Sequence, residues 1–468
     1  MYSRTLTPAV WRGRTPLLRL LAPLFVITSL PLEAQIRGED AAPGLGLWRS
    51  QPAYAVPYEA PDPALIKRDL SLVGRYIDEH CPVRWVDLET GEPISPGTTT
   101  GGSPGLEYGL FSLISYQWGV TYAAMLRAAE VTEDPFFHDY VRVRLEAIEQ
   151  IGLHYLAMPA EARPRHYIPE RLLDPHNLDS CGAMTAALIK AQTAGIGEHL
   201  EAFIAPSIDY IAQEQKRLPD GTLARDRPLP NSLWLDDLYM SVPALAQRAQ
   251  TTGETPYFDD ACAQILQMTA RMYVPALGLY RHGWVEDMEP HPTFPWARAN
   301  GWTIMATVEL LSVLPETHPQ FAKLLSIYRQ HIDGIARHQG IDGFWHQLLD
   351  RPQTYEETSA TAMFVFALAR GINREWIDAS AYGPRTLLGW NAVSTQIDAS
   401  GAVQGTCVGT GIGWDAAFYA YRPVSPHAAH GYGPVILAGA EVLEMLEKLG
   451  DDVNYHDSAT HIGETPDW

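Results

Sequence analysis

The stretch Pro219-Asp220-Gly221-Thr222-Leu223 decides the fold, because glycine-centred turns of this kind recur between helical patterns along the chain. Each turn has the look of a short hairpin that joins two helices. The central glycines stand at positions 221, 278, 343 and 401, which are 57, 65 and 58 residues apart. A period of about 60 residues accommodates two helices of about five turns each and their connections. The other turns cover residues 276–280, 341–345 and 399–403.

Two kinds of helical segment alternate around these turns. The first is amphipathic, which predicts one face in solvent, and it covers residues 64–80, 135–156, 198–216, 256–273, 319–339 and 374–388. The second is apolar nearly all round, which predicts burial, and it covers residues 112–129, 179–194, 232–249, 298–314, 357–371 and 431–449. Strict alternation of six and six predicts an all-α protein, an (α/α)6 barrel over residues 63–468 with an inner ring of helices inside an outer ring.

In such a barrel the N-terminal ends of the inner helices meet around one mouth, which we call the crater. Polar residues occupy this position in successive repeats, and these are Asp179, Asp236, Arg298, Glu357 and His430. The chain also has 13 Trp and 22 Tyr, many of them in the crater loops, and such rings suit stacking against sugars. Carboxylates, aromatic rings and a few basic residues around a crater are typical of carbohydrate-active sites.

Adjacent carboxylates occur inside the apolar stretch PNSLWLDDLYMSVP at residues 230–243. Asn231 or Ser232 can cap a helix here, which puts Asp236 and Asp237 near its first turn and about 100° apart around its axis. Both acids could simply favour the positive end of the helix dipole. An ionised carboxylate among apolar residues otherwise loses solvation, so we expect at least one of the two to point into a cavity.

The first 34 residues have the features of an export signal. Four arginines precede an apolar run at residues 20–30, and Ala34 ends the segment with a small side chain. The run has 11 residues, and a membrane helix needs about 20, so we expect no membrane insertion. Residues 35–62 are rich in Pro, Gly and Ala without periodicity, which indicates an extended arm. We therefore expect an exported protein, periplasmic or extracellular.

The formal net charge is −21, and removal of residues 1–34 would delete four Arg and one Glu and leave −24. So acidic a surface repels phosphate backbones, which excludes a nucleic-acid partner and confines an anionic ligand to a local basic pocket. The four cysteines form no CxxC pair, so no metal site is expected, and their spacing leaves disulfide pairing open. Nucleotide, acyl-serine and zinc motifs are absent from the sequence, and we expect no cofactor. The sequence does not determine the oligomeric state.

Two basic residues of the crater have alternative interpretations. His282 follows the turn at 276–280, so it is either a loop histidine bonded to a neighbour or a ligand-binding residue aimed at the crater. The stem of Arg298 can pack on the indoles of Trp296 and Trp302 by a cation–π contact. An arginine that opens a buried helix also needs an anion, which could be Asp179, Asp236 or a substrate carboxylate. Glu357 is most simply explained by its place at a helix start.

At these motifs the chain resembles the unsaturated rhamnogalacturonyl hydrolases of glycoside hydrolase family 105, with the unsaturated glucuronyl hydrolases of family 88 as a sister group. The likeness runs over most of the chain, from about residue 65 to residue 449. Single motifs are weak, but their order is specific to the family. They are Tyr116-Gln117-Trp118-Gly119, Leu178-Asp179-Ser180, Trp234 to Met240, His282-Gly283-Trp284, Trp296 to Trp302, Glu357 to Ala360, and His430 to Gly433.

The resemblance implies hydration of a double bond. Such enzymes remove the 4,5-unsaturated uronic acid that polysaccharide lyases leave at the non-reducing end of oligosaccharides. The Trp-x-Asp carboxyl, Asp236 here, would protonate C4 and help to deliver water to C5, and the resulting hemiketal would open and release the neighbouring sugar. Asp179 matches the second acidic position. The residues expected to contact the anionic unsaturated oligosaccharide are Tyr116, Trp234, Met240, His282, Trp296, Arg298, Trp302 and His430.

Other functions on the same fold remain open. An inverting glycosidase would use Asp179 and Asp236 as acid and base on saturated sugars, with about 6.5 to 9.5 Å between the carboxyl groups. A non-catalytic sugar-binding barrel would keep the aromatic residues and tolerate the loss of Asp236. The arm and the Pro- and Gly-rich residues 92–105 have no clear counterpart in the family, so the uronic acid and the neighbouring sugar stay undetermined.

Overall fold

The computed structural model describes residues 59–97, 103–159, 161, 163 and 170–450. Short antiparallel strand pairs lie among the helices: β1 Trp85–Asp87 with β2 Pro104–Leu106, β3 Ser232–Trp234 with β6 Gly283–Val285, and β4 Tyr273–Val274 with β5 Leu279–Tyr280. The α-helices are α1 Pro63–His80, α2 Tyr116–Thr132, α3 Pro135–Leu156, α4 Glu170–Leu173, α5 Leu178–Thr193, α6 Glu201–Asp209, α7 Val242–Thr252, α8 Thr255–Met272, α9 Ala297–Val313, α10 Phe321–Arg337, α11 Thr358–Asn373, α12 Ala379–Ser394, α13 Ala416–Ala420 and α14 Tyr432–Leu449.

A closed ring of helices forms the centre of the molecule. Helices α2, α5, α7, α9, α11 and α14 each pack against the next, and α14 packs back on α2. Small residues allow close approach, because a Cβ on Gly182 of α5 would come within 1.7 Å of the carbonyl oxygen of Met240. Such a ring buries helices on every side, which explains why these segments are apolar all round. The predicted (α/α)6 barrel is confirmed.

Helices α1, α3, α6, α8, α10 and α12 pack outside this ring. Their buried residues fall on one face; in α10 these include Leu324, Tyr328, Ile332 and Ile335, at spacings of three and four. α1 contacts both α14 and α2, so the first outer helix covers the point where the ring closes. The amphipathic pattern thus predicts the outer layer correctly.

The glycine turns connect the two layers. Gly221, Gly278, Gly343 and Gly401 all have positive φ values, from 72° to 94°, which favour glycine. Three of them also lie directly against a neighbouring outer helix, and a Cβ on Gly278 would come within 2.7 Å of the Cα of Gly334 in α10. A Cβ on Gly343 would meet the carbonyl oxygen of Leu388 at 2.2 Å, and one on Gly401 would meet that of Leu72 at 2.3 Å. The repeated turn therefore requires glycine for its conformation, and at three of its four positions for its packing as well.

Some predicted helix bounds are wrong. The predicted helix over residues 232–249 is replaced at its start by strand β3 and a 3₁₀ turn, Leu235–Leu238, and α7 begins only at Val242. Pro243 explains the position of that start, because proline fits the first turn of a helix but breaks its interior. The outer helix predicted at 374–388 is α12 instead, since Arg374 caps α11. The segment predicted at 198–216 is shorter and ends in a π turn, Tyr210–Glu214.

The predicted export signal at residues 1–34 and nearly all of the predicted arm lie outside the described residues. Those two assignments therefore stay predictions. Asp62, at the end of the predicted arm, caps α1 by accepting a hydrogen bond from the Ala64 N–H at 2.8 Å. Among the residues that the structure describes, no helix combines the length and the apolar character needed to cross a bilayer.

Candidate active site

A two-stranded sheet brings Asp236 and His282 together. In the antiparallel pair β3 and β6, Trp234 lies opposite Gly283. His282 immediately precedes β6, and the 3₁₀ turn that contains Asp236 immediately follows β3, so both residues leave the sheet at the same end. The backbone N–H of Leu235 donates to the carbonyl oxygen of His282 at 3.1 Å, which extends the pairing by one step.

Asp236 is the end of a hydrogen-bonded chain. His282 Nε2 lies 3.0 Å from Asp236 Oδ2, and His282 Nδ1 lies 2.8 Å from the hydroxyl oxygen of Tyr419. The same hydroxyl accepts the backbone N–H of Gly413 at 2.9 Å. The side chain of His282 is fully buried, whereas that of Asp236 keeps 16% of its surface exposed. A buried relay therefore supports a carboxylate that a ligand can reach.

The neighbouring carboxylate, Asp237, points into the protein. Its side chain is 0% exposed, and Arg225 Nε donates to both of its oxygens at 2.9 Å. Successive residues of a 3₁₀ turn are about 120° apart, so Asp236 and Asp237 must diverge. Asp236 therefore keeps a partly exposed carboxylate while Asp237 faces inward, and the two acids lie in a 3₁₀ turn instead of the predicted α-helix.

Arg225 is shared between two carboxylates. It also binds Asp179, with NH1 and NH2 at 2.8 and 2.7 Å from the two carboxylate oxygens. Arg227 adds a further bond to Asp179 at 2.9 Å. Burial raises the pKa of Asp179, but the hydrogen bonds and charges of the two arginines outweigh it, so the pKa is lowered. For Asp237 burial prevails over Arg225 and raises the pKa to about 6.

Arg298 does not pair with either candidate acid of the crater. Its NH1 and NH2 groups donate to the carbonyl oxygens of Cys407 and Val408, both at 2.7 Å. The carboxylate that pairs with it is Glu357, at 3.6 Å between NH1 and Oε1. Its guanidinium carbon lies 4.6 Å from the centre of the Trp296 ring, as the cation–π interpretation predicts. Of the three anions considered for Arg298, Asp179 and Asp236 are therefore not its partners, because a loop of the last repeat supplies the acceptors, and a substrate carboxylate remains a prediction.

Glu357 has the structural role expected for an acid at a helix start. Its side chain caps α11 by accepting the N–H of Ala360 at 2.6 Å, and it also accepts the N–H of Cys407 at 2.8 Å. It is 0% exposed. Glu357 therefore fixes the loop that holds Arg298 and is buried away from any ligand.

Tyr116 and His430 meet at the other side of the crater. The Tyr116 hydroxyl lies 2.8 Å from His430 Nε2. Burial raises the pKa of the Tyr116 phenol, the charge of Arg298 lowers it, and the charges of Asp179 and Asp236 raise it further. Burial lowers the pKa of His430 well below its ordinary value, and the charge of Arg298 adds to this effect.

The aromatic residues predicted for the site surround this group. Trp234 and Trp296 flank His282 with ring centres at 6.0 and 4.6 Å. Trp302 contacts Tyr116, with ring centres 6.2 Å apart, and is fully buried. Met240 is also buried, at 1% exposure.

Sequence reasoning missed Arg225 and Tyr419. A signal for Arg225 was present, because it stands four residues after Gly221, as His282 stands four residues after Gly278. In these two repeats that position places a basic side chain on an acid of the crater, Arg225 on Asp179 and His282 on Asp236. Tyr419 lies in the short helix α13 of an irregular segment, and no periodic pattern indicates it.

The model of Glycosyl Hydrolase Family 88 matches residues 104–446, which is well over half of the chain. The chain belongs to Glycosyl Hydrolase Family 88. It is thus a glycoside hydrolase, and the resemblance predicted from the ordered motifs is confirmed. The match includes every residue of the crater described above.

Named relatives of this family 88 chain include Unsaturated rhamnogalacturonyl hydrolase YesR of Bacillus subtilis, 24% identical over 292 residues that cover 60% of this chain and 83% of the relative. An Unsaturated 3S-rhamnoglycuronyl hydrolase of Alteromonas sp. is 27% identical over 219 residues, which cover 45% of this chain and 51% of that protein.

Solved structures share the fold. A family 105 glycoside hydrolase of C. acetobutylicum has a TM-score of 0.60 at 21% identity and covers 71% of this chain and 95% of its own. The Unsaturated Glucuronyl Hydrolase of Bacillus sp. GL1 has a TM-score of 0.52 at 15% identity and covers 83% of this chain and 96% of its own.

Proposed function

We propose that this family 88 enzyme removes the 4,5-unsaturated uronic acid from the non-reducing end of oligosaccharides by hydrating the C4=C5 double bond, with Asp236 as the acid. The observation that carries the proposal is the partly exposed carboxylate of Asp236 on the buried imidazole of His282. Such a group is held in one orientation and can still touch a substrate.

In this reaction Asp236 acts first as a general acid and then as a general base. Its proton moves to C4 while the π electrons form the new C4–H bond, and the ring oxygen stabilises the cation left at C5. Water then adds to C5 and returns a proton to the Asp236 carboxylate. The hemiketal that results opens, and the neighbouring sugar leaves. One carboxyl group suffices for this sequence, which agrees with a site where Asp237 is buried and Asp179 is bound by arginines.

Arg298 and Trp296 are the proposed binding groups for the uronate carboxylate. Within the described part of the chain, Arg298 Nε and Trp296 Nε1 are buried N–H donors without a hydrogen-bond partner. A buried donor without a partner costs about 1 to 3 kcal/mol, and a carboxylate acceptor would remove that cost. NH1 and NH2 of Arg298 bind backbone carbonyls, so the side chain is already fixed before the ligand arrives.

We propose rhamnose as the neighbouring sugar. The support is the similarity to curated relatives whose names specify rhamnogalacturonyl and rhamnoglycuronyl substrates. The choice of neighbouring sugar can be tested separately from the reaction type. The test compares cleavage rates of disaccharides in which rhamnose, glucose or an amino sugar is linked to the same unsaturated uronic acid.

The inverting alternative is disfavoured by the state of Asp179. A general acid must hold a proton and a general base needs a free lone pair directed at water. The pKa of Asp179 is lowered, and its oxygens accept hydrogen bonds from Arg225 and Arg227. Asp179 is better suited to bind a sugar hydroxyl or to orient the arginines.

Matched unsaturated and saturated disaccharides test the proposal. We expect the unsaturated substrate to lose the ultraviolet absorbance of its double bond and the saturated one to remain intact. Asp236→Asn should abolish the reaction, while Asp237→Asn, the adjacent control, should retain it in whatever fraction of the protein folds. Cleavage of the saturated disaccharide alone would overturn the proposal in favour of ordinary glycosidic displacement.

A further inference from the structure

The positions of the nitrogen and oxygen atoms behind Asp236 determine which group donates each hydrogen bond of the relay. Tyr419 is fully buried, and its hydroxyl oxygen has contacts at hydrogen-bond distance with the Gly413 N–H and with His282 Nδ1. The Gly413 amide can only donate. The hydroxyl oxygen therefore accepts from Gly413, and its own hydrogen needs an acceptor.

His282 Nδ1 is the acceptor within reach. If Nδ1 carried a hydrogen, the Tyr419 oxygen would accept two hydrogen bonds, and its own hydrogen would have no acceptor among the described residues. A buried hydroxyl hydrogen in that state is costly. Burial also raises the pKa of Tyr419, with the charge of Asp236 adding to the effect, so the phenol keeps its proton.

We infer that Tyr419 is a positioning residue, which fixes neutral His282 as the tautomer with hydrogen on Nε2. This tautomer makes Oδ1 of Asp236 the oxygen that carries the reactive proton. The order is Gly413 N–H to Tyr419 oxygen, Tyr419 O–H to His282 Nδ1, and His282 Nε2–H to Asp236 Oδ2. Every N–H and O–H hydrogen of the relay then has an acceptor.

The consequence for Asp236 follows from its two oxygens. Oδ2 accepts the His282 Nε2–H at 3.0 Å, so a proton placed there would face another hydrogen. Oδ1 accepts no hydrogen bond among the residues that the structure describes and is free to bind the proton that goes to C4. This part of the inference rests on the proposed function, whereas the tautomer itself does not.

The aromatic rings around His282 fix the orientation of the side chains in the relay. Trp296 lies 4.6 Å from His282 and 6.3 Å from Tyr419, between ring centres, and restricts rotation of both. Tyr419 itself packs at 5.6 Å from Phe294, whose carbonyl oxygen accepts the backbone N–H of His282 at 3.0 Å. The relay is therefore anchored by backbone and by side-chain contacts.

Nitrogen-15 NMR tests the tautomer without any substrate. The resting enzyme is labelled at its histidine imidazoles, and spectra are recorded at about pH 8, where an ordinary imidazole is neutral. A His282→Gln variant assigns the signals. We expect a hydrogen-bearing Nε2 and an acceptor-type Nδ1. A hydrogen on Nδ1 in the wild-type enzyme would overturn the inference, whether or not the proposed reaction is correct.

Tyr419→Phe tests the role in turnover. We expect a mixture of His282 tautomers and a loss in kcat of at least about tenfold, with KM changed less than about twofold, because binding groups stay in place. Tyr328→Phe is the matched control, since that buried hydroxyl donates to the carbonyl oxygen of Ala367 at 2.8 Å, in the contact between α10 and α11. It should change neither readout. Wild-type kcat in Tyr419→Phe would overturn the role, and should Tyr419→Phe fail to fold, the wild-type NMR result still decides.

Discussion

The two ends of the inner ring shift the pKa of a buried carboxylate in opposite directions. At the crater, Asp237 shares Arg225 with Asp179, and burial raises its pKa to about 6. At the opposite end, Glu441 accepts hydrogen bonds from Arg127 at 2.7 Å and from Arg370, and Asn373 donates to it at 3.0 Å. Burial raises the pKa of Glu441, but the arginines outweigh it and lower the pKa to about 2.

The charged neighbours explain this difference, because Asp237 shares its one arginine with Asp179 whereas Glu441 is bound by two arginines. The inner helices all run in the same direction. Their N-terminal ends, which carry partial positive charge, surround the crater, and their negative C-terminal ends surround the opposite mouth. Cations are therefore favoured at the opposite mouth, where a cavity of about 420 Å³ is lined by Arg127, Lys190 and Arg370 among others. At the crater the helix ends carry partial positive charge, which suits an anionic sugar.

The largest effect is expected at the crater. Asp236→Asn removes the proposed acid and should lower kcat by at least about 10³-fold, without a change in the free energy of unfolding. Kinetics on an unsaturated disaccharide, together with urea unfolding, measure both quantities. A variant with more than a tenth of the wild-type kcat would remove Asp236 from the chemistry.

The matching change at the opposite end should have the reverse profile. Glu441→Gln leaves Arg127 and Arg370 without their buried charge partner and should lower the free energy of unfolding by about 3 kcal/mol. The kcat of the folded fraction should stay within about twofold of wild type, because the crater is at the other end of the ring. A large loss of kcat without loss of stability would contradict the division of roles between the two mouths.

Arginines at the two ends provide a third contrast. Arg298→Ala should lower kcat/KM by about 10²-fold, because a misplaced C4 loses its alignment with Asp236. Arg298→Lys should restore little, since one ammonium group cannot reach both Cys407 and Val408 carbonyls and the ligand. Arg370→Ala is the control and should act on stability.

The methyl ester of the unsaturated disaccharide checks the reason for the Arg298 effect. If Arg298 and Trp296 grip the uronate carboxylate, the ester should react more slowly than the free acid in the wild-type enzyme. Equal rates for ester and acid would leave Arg298 a purely structural role.

The pH dependence of stability should have opposite signs at the two ends. Glu441 has a folded pKa of about 2 and an ordinary value of 4.5, so the stability it contributes is present above 4.5 and lost as the pH falls through about 2. Asp237 has a folded pKa of about 6 and an ordinary value of 3.8, so the stability it contributes is present below 3.8 and lost as the pH rises through about 6.

The difference in unfolding free energy between the wild type and each variant, measured as a function of pH, gives these two slopes. The difference for Glu441→Gln should rise with pH between about 2 and 4.5. The difference for Asp237→Asn should fall between about 4 and 6. Parallel slopes for the two variants would contradict the account of how the arginines are distributed.

Periodic features of the chain were predictable from sequence, and the irregular ones were not. The turn at Gly221 and its equivalents sets the repeat, and repeat position brings Asp179, Asp236 and His282 to one crater. The extended start of residues 232–234 was missed, because the pairing of β3 with β6 depends on a partner about 50 residues away.

Long-range partners also account for the errors in the site. The acceptors of Arg298 are carbonyls of residues 407 and 408, more than 100 positions along the chain, in a segment without periodicity. Tyr419 reaches His282 from the same segment. Local pattern predicts which repeat position faces the crater, but it carries no information on which distant loop closes over it.

The most direct test of the central claim is the fate of solvent hydrogen when an unsaturated disaccharide is cleaved in D₂O. Hydration with Asp236 as the acid predicts one solvent deuterium on C4 of the uronic product at early times, in excess of the exchange that the isolated product shows under the same conditions. Cleavage that leaves C4 without deuterium and the double bond intact would contradict the account and indicate displacement at the anomeric carbon.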